Sequence, residues 1–74
     1  MSQEQRNKIE YVTMCVFQFA SRFGMQVIDA LGYLLDFGGI SFLEDGYEIE
    51  HTLPLEDTLD ALQVICARNG GWVA

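Results

Sequence analysis

Seventy-four residues, half of them hydrophobic, carry eleven acidic side chains against four basic ones, for a formal charge of −7. A chain of this length buries only about 60% of the surface that its unfolded form exposes, so residues 1–74 are expected to form one small domain with a modest core. The charge excludes nucleic-acid binders, which need clustered Lys and Arg to displace phosphate counterions. The hydrophobic content excludes disorder, which requires a scarcity of apolar residues beside high charge.

The first segment opens with Ser2 and Gln5 at capping-box spacing, runs to about Phe23 and stops at Gly24. At about 100° per residue, Ile9, Val12, Val16, Phe19, Ala20 and Phe23 share one stripe, which is the face expected to be buried. Tyr11, Met14, Cys15 and Phe17 lie off that stripe. Met14 and Phe17 form an i, i+3 pair on nearly the opposite side. A helix with two apolar sides is either central and covered twice, or it offers its second side to a partner. The longest charge-free stretch, residues 11–21, is well short of the ~20 apolar residues of a membrane span. Arg6 and Lys8 before it imitate a signal peptide. Glu4 and Glu10 break the positive flank, however, and Gln18-Phe19 before Ala20 suits cleavage poorly. A cytoplasmic protein with no membrane partner is the expectation.

The second segment, about 25–37, places Ile28, Leu31, Leu34 and Leu35 at helical spacing before Gly38. Gly32 inside it costs ~1 kcal/mol relative to alanine, which predicts close packing against another helix or a frayed element. The third segment, 40–52, has two readings. As a helix, it sets Ile40, Leu43, Tyr47 and His51 on one stripe. As a hairpin at about 41–50, it turns at Asp45-Gly46 between residues 41–44 and 47–50. Glycine in mid-helix favours the hairpin. The absence of any other strand-like segment favours the helix, because an isolated two-stranded ribbon is marginal. In the last segment Pro54 suits the first turn, and Glu56 and Asp57 sit where the helix dipole favours negative charge. Leu55, Leu59, Leu62, Ile65 and Cys66 share a face, Arg68 lies in the last turn and Asn69-Gly70 supplies the stop.

Phe42-Leu43, then Tyr47-Glu48-Ile49-Glu50-His51-Thr52, Asp57 and the closing Cys66-Ala67-Arg68-Asn69-Gly70-Gly71 together resemble a small bacterial domain-of-unknown-function family, number 3791. The resemblance covers nearly the whole chain. It implies an all-helical fold, so that 40–52 is helical; Asp45-Gly46 is where this sequence least suits that reading, and a break or bend is expected there. It also implies a neighbouring gene for a predicted toxin-like ADP-ribosyltransferase domain, and hence an antitoxin, immunity or partner-regulating role. No catalytic residue is established for the family, and none is carried over.

Few residues are suited to carry chemistry. His51 is the sole histidine. Glu48, Glu50 or Asp57 nearby would suit a base or metal ligand. Its place instead suits a half-buried histidine hydrogen-bonded at the end of one helix, with Thr52 capping the next. Cys15 and Cys66 lie among apolar neighbours and read as buried thiols rather than a disulfide, activated nucleophiles or zinc ligands. A calcium loop starting at Ser41 would place Gly46 correctly, but Leu43, Asp45 and Thr52 are the wrong ligands. No cofactor or metal is expected, nor an enzyme.

Charge is the more informative feature. Nine of the eleven acids lie between Phe23 and Ala67, a stretch without Lys or Arg. Glu56 and Asp57 are explained by the helix N-terminus and Asp60 by an exposed helix face. The remaining acids either keep a small hydrophobic domain soluble or form a docking face for a basic partner, with Glu44, Asp45, Glu48 and Glu50 at its centre. Trp72, past the last helix, either folds back over the core or serves as an anchor for another chain. The expected fold is therefore all-α: a compact bundle of three to four short helices, with the first central and the last packed on it. The expected function is a protein-interaction module restraining a partner. Its candidate residues are Met14, Phe17, Glu44, Asp45, Tyr47, Glu48, Glu50, His51 and Trp72. The alternative is a homo-oligomer joined through the second apolar side of the first helix.

Overall fold

The computed structural model describes residues 2–72. Among them five helices follow in chain order: α1 (Gln3–Phe23), α2 (Val27–Asp36), α3 (Gly39–Asp45), α4 (Tyr47–Glu50) and α5 (Leu55–Arg68). No strand occurs among the described residues, so the all-α expectation holds and the hairpin at 41–50 does not form.

The capping box predicted at the N-terminus is present. Ser2 Oγ accepts from the Gln5 N–H at 3.2 Å, and Gln5 Oε1 accepts from the Ser2 N–H at 3.2 Å. α1 then runs 21 residues, which is not short, and ends at Gly24. Its buried face is Cys15, Val16, Phe19 and Ala20. Ile9, expected on that face, is 52% exposed. The cause is length. Twenty-one residues span about 30 Å at the helical rise, while the molecule measures 35 × 21 × 20 Å, so the first turns of α1 outrun the helices beside them.

The third segment is helical but divided. Gly46, at φ −96° and ψ 8°, leaves helical geometry after α3, and its carbonyl then accepts from the Ile49 and Glu50 N–H groups to start α4. The break falls at Asp45-Gly46, the pair expected to interrupt the helix, and it makes five helices from the three to four expected. The first helix is not the sole centre. α3 packs against α1, α2, α4 and α5, and α1 packs against α2, α3 and α5 and, through Tyr11 and Tyr47, against α4. Leu43 on α3 is fully buried, and so are Phe19, Leu34 and Leu62 around it. Truncating such a leucine to alanine costs ~2–5 kcal/mol. α3 reaches the middle because Gly39 has no side chain. A Cβ there would lie 2.6 Å from Leu34 Cδ2 and 3.3 Å from Cys66 Sγ.

α2 differs most from expectation. Its buried residues are Ala30, Tyr33 and Leu34, while Ile28 and Leu35 are 70% and 58% exposed. The aromatic side chains turn it. Tyr33 stacks on Phe19 at 5.8 Å and packs against Phe37 at 4.9 Å, and this row shares the inward face with Leu34 while Ile28 and Leu35 turn outward. Gly32 neither lies under a packed helix nor frays α2. The helix is continuous, and a Cβ at Gly32 would meet nothing within 4 Å.

α5 buries Thr58, Leu59, Leu62 and Cys66, close to the predicted face. Its C-terminus is a Schellman turn. The Gly71 N–H donates to the Cys66 carbonyl at 2.8 Å, and the Gly70 N–H to the Ala67 carbonyl at 3.1 Å. Gly70 takes φ +95°, and a side chain at Gly71 would collide with the Tyr33 hydroxyl, so this pair of glycines lays Trp72 against α2. The Asn69 amide also donates to the Phe37 carbonyl at 2.8 Å, tying the end of α5 to the turn after α2. Thr52 does not cap α5. Its hydroxyl donates back to the Ile49 carbonyl at 2.7 Å, and Pro54 takes the N-cap position.

Candidate functional site

The acids of the central stretch separate into four groups once folded, one of them Glu56 and Asp57 in the first turn of α5. Asp60 is ion-paired: its Oδ1 lies 2.7 Å from Arg22 Nη1, linking α5 to the end of α1. Glu50 is internal. Half-buried at the end of α4, it accepts from the Thr58 hydroxyl at 3.0 Å, and that hydroxyl accepts from Tyr11 at 3.4 Å. Thr58 is completely buried, so this chain of hydrogen bonds is what satisfies its hydroxyl. Glu50 therefore helps to hold α4 onto α1 and α5. Asp29, Asp36, Glu44, Asp45 and Glu48 form the fourth group. All five are exposed, and none takes part in an ion pair among the described residues.

The environment of the Glu50 cluster shows in its neighbours. Burial pushes the Tyr11 phenol up to about 12, against a smaller lowering from its bond to Thr58. Burial likewise raises the Cys15 thiol, opposed by its hydrogen bond with Tyr11 and assisted by the Glu50 charge. Cys66 is raised by burial too, less a contribution from the Gly39 backbone. Both cysteines are free, buried and unactivated, as their apolar neighbours predicted.

His51 is exposed rather than half-buried, but it does end a helix. Its Nδ1 lies 2.6 Å from the Tyr47 carbonyl, so that nitrogen carries the proton and donates to it. The ring stacks on Tyr47 at 4.5 Å, and Tyr11 meets Tyr47 edge-on at 5.4 Å. Lys8 reaches in from α1, its Nζ 5.9 Å from the centre of the Tyr47 ring. The structure thus brings Tyr47, Glu50 and His51 together and adds Tyr11, Thr58 and Lys8. Among the described residues, no group of three His, Cys, Asp or Glu side chains could hold a metal ion.

The apolar candidates do not meet. Met14 and Phe17, 42% and 53% exposed, occupy the outer side of α1, so that helix is covered once and its second side faces outward. Trp72 lies elsewhere, against α2. It packs edge-on against Tyr33 at 5.1 Å yet stays 70% exposed. Trp72 therefore folds back against Tyr33 with one edge, as one of its two readings expected, and most of its ring is exposed. Beside it runs an open groove of about 720 Å³ whose lining includes Asp29, Gly32, Tyr33, Asp36, Phe37 and Trp72. Sequence reasoning missed this groove. Its signal was Asp29, Gly32 and Asp36 at i, i+3 and i+7, one face of a helix carrying two acids and a gap.

Asp36 is also the last residue of α2, and Glu44 and Asp45 are the last two of α3. Neither helix has a basic residue in its last turn. A carboxylate at the negative end of the helix dipole is unfavourable by ~0.3–1 kcal/mol, and both helices keep one.

These features define a small all-helical domain with a partly unpaired acidic surface and one aromatic groove. Residues 10–69 match the family described as protein of unknown function (DUF3791), and the chain belongs to that family. No curated protein matches the chain, and no solved structure does. No helix among the described residues is long and apolar enough to cross a membrane.

Proposed function

We propose that this domain is a non-enzymatic interaction module that binds and restrains a basic protein partner, in an antitoxin-like or immunity-like role. The observation that carries this reading is the placing of Asp36, Glu44 and Asp45 at helix C-termini with no ion-pair partner among the described residues. Acids needed only for solubility serve equally well on any exposed surface, including helix N-termini where the dipole supports them. Carboxylates kept where they destabilise their own helices are accounted for by a cation that arrives with a partner. Occlusion is the mechanism: the acidic surface covers a basic cleft, and opposite charge speeds the encounter and fixes its orientation.

A toxin-like ADP-ribosyltransferase domain, the partner implied by the family resemblance, is the first to test. Tagged domain and candidate partner are co-expressed and captured, then washed at rising salt. Retention should fall several-fold with salt and with Glu44→Lys combined with Glu48→Lys. Capture indifferent to both salt and charge reversal would show that the acids are only solvated. Glu50 is unsuitable for this test, because its carboxylate is engaged by Thr58.

The exposure of Met14 and Phe17 favours a second reading, a homo-oligomer joined along α1. Light scattering should then give twice the monomer mass, reduced by Phe17→Glu. A monomer unaffected by that substitution removes the reading.

A further inference from the structure

The α2 groove is the less neutralised part of the acidic surface. Near Glu44, Lys8 and Ile9 share the same shallow depression, so a cation of the chain itself stands beside that acid. No Lys or Arg is among the residues lining the α2 groove. The groove carries a carboxylate at each end, Asp29 and Asp36, an aromatic wall of Tyr33 and Trp72, and a floor opened by Gly32. The two acids are seven residues apart on one helix, about 10 Å along its axis. A chain in the extended polyproline II conformation covers about 9 Å in three residues and returns side chains i and i+3 to the same side.

We infer that the α2 groove seats an extended basic segment of the protein partner, with two arginines three residues apart reaching Asp29 and Asp36 and an apolar side chain between them over Gly32. This rests on the partner-binding reading above and supplies the seat and chemistry of the bound segment. Arginine fits better than lysine, because its planar guanidinium forks onto a carboxylate and stacks on an aromatic face such as that of Trp72. An extended segment fits better than a helix, because the gap left by one missing side chain admits a side chain and not a rod about 10 Å wide.

Trp72 is the sole tryptophan, so its fluorescence reports on the groove directly. The probe is the peptide acetyl-Arg-Phe-Leu-Arg-amide, titrated beside acetyl-Glu-Phe-Leu-Glu-amide. The arginine peptide should give a saturable change and the glutamate peptide none. Asp36→Asn should weaken binding about two- to fivefold, the range of a single exposed charge pair. Gly32→Leu should weaken it at least tenfold by filling the floor while the helical circular dichroism is retained. Equal response to both peptides, no saturation, or indifference to Gly32→Leu overturns the inference. So does a dimer by light scattering that Gly32→Leu converts to monomer, because a second copy then fills the groove. If the peptide fails while a basic partner is still captured and lost with salt, the groove is wrong and the functional reading stands. Peptide binding beside salt-insensitive partner capture has the opposite meaning.

Discussion

Replacing Gly32 with alanine should make the protein more stable, although the site lies on a helix of the folded domain and is half-buried. Gly32 sits in the interior of the ten-residue α2, with ordinary helical geometry and no positive φ. A methyl group there meets no atom within 4 Å beyond the helix itself, so the substitution introduces no clash. What remains is the difference in helix propensity. Glycine is less favourable than alanine in a helix interior by ~1 kcal/mol, chiefly because the unfolded glycine chain is freer. For a domain of this size 1 kcal/mol raises Tm by about 4–8 °C. The assay is urea and thermal unfolding of both proteins followed by circular dichroism at 222 nm, the helical minimum. The urea midpoint should rise with an unchanged slope, which assigns the gain to stability rather than to the compactness of either state. A fall in midpoint would refute the reasoning, because it would mean that Gly32 is packed against a neighbour and that the groove is closed in solution.

Three further outcomes follow from the same contacts. Asp36→Lys should stabilise α2 by ~0.3–1 kcal/mol, seen as a rise in urea midpoint, while weakening capture of a basic partner. Thr58→Val should destabilise by about 1 kcal/mol in urea unfolding. It breaks the bridge between Tyr11 and Glu50, both of which retain some access to water. The Tyr11 phenol is raised in the folded state to about 12 from an ordinary value near 10. Its contribution is present below pH ~10 and is lost as pH rises toward 12, since the unfolded chain loses that proton first. Tyr11→Phe should therefore flatten the loss of stability across this range in a series of unfolding curves at rising pH.

The helix ends were legible from sequence because the determinants are local. Ser2 with Gln5 and Asn69-Gly70 act within a few residues of themselves, and each forms the cap that its spacing predicts. The buried faces were less so. On α1 and α5 most of the predicted stripe is covered. On α2 the row of Phe19, Tyr33 and Phe37, drawn from two helices, decides which side turns inward. Periodicity ranks residues by hydrophobicity and cannot see that a tyrosine has two phenylalanines to join. The pairing of Arg22 with Asp60 and the tie from Thr58 to Glu50 span 38 and 8 positions. Neither has a signature along the chain, so an acidic surface read from charge alone took in Glu50, a carboxylate that is internal.

Separating those two acids changes the meaning of the rest. Asp60 and Glu50 have partners within the chain, and Glu56 and Asp57 have the positive end of α5. The acids left over include Asp36, Glu44 and Asp45, which oppose their own helix dipoles, and the glycine that weakens α2 lies on the same face as Asp36. Each departure costs a fraction of a kilocalorie to about one kilocalorie per mole, in a domain whose total stability is only a few times larger. Stability alone would have replaced all of them, since alanine fits at Gly32 and lysine suits a helix end. That the two departures on α2 adjoin the one groove walled by an exposed tryptophan gives them a common physical cause. On the proposed reading, the groove stays open and negative at the expense of the helix that forms it, and a bound cationic segment would offset both costs.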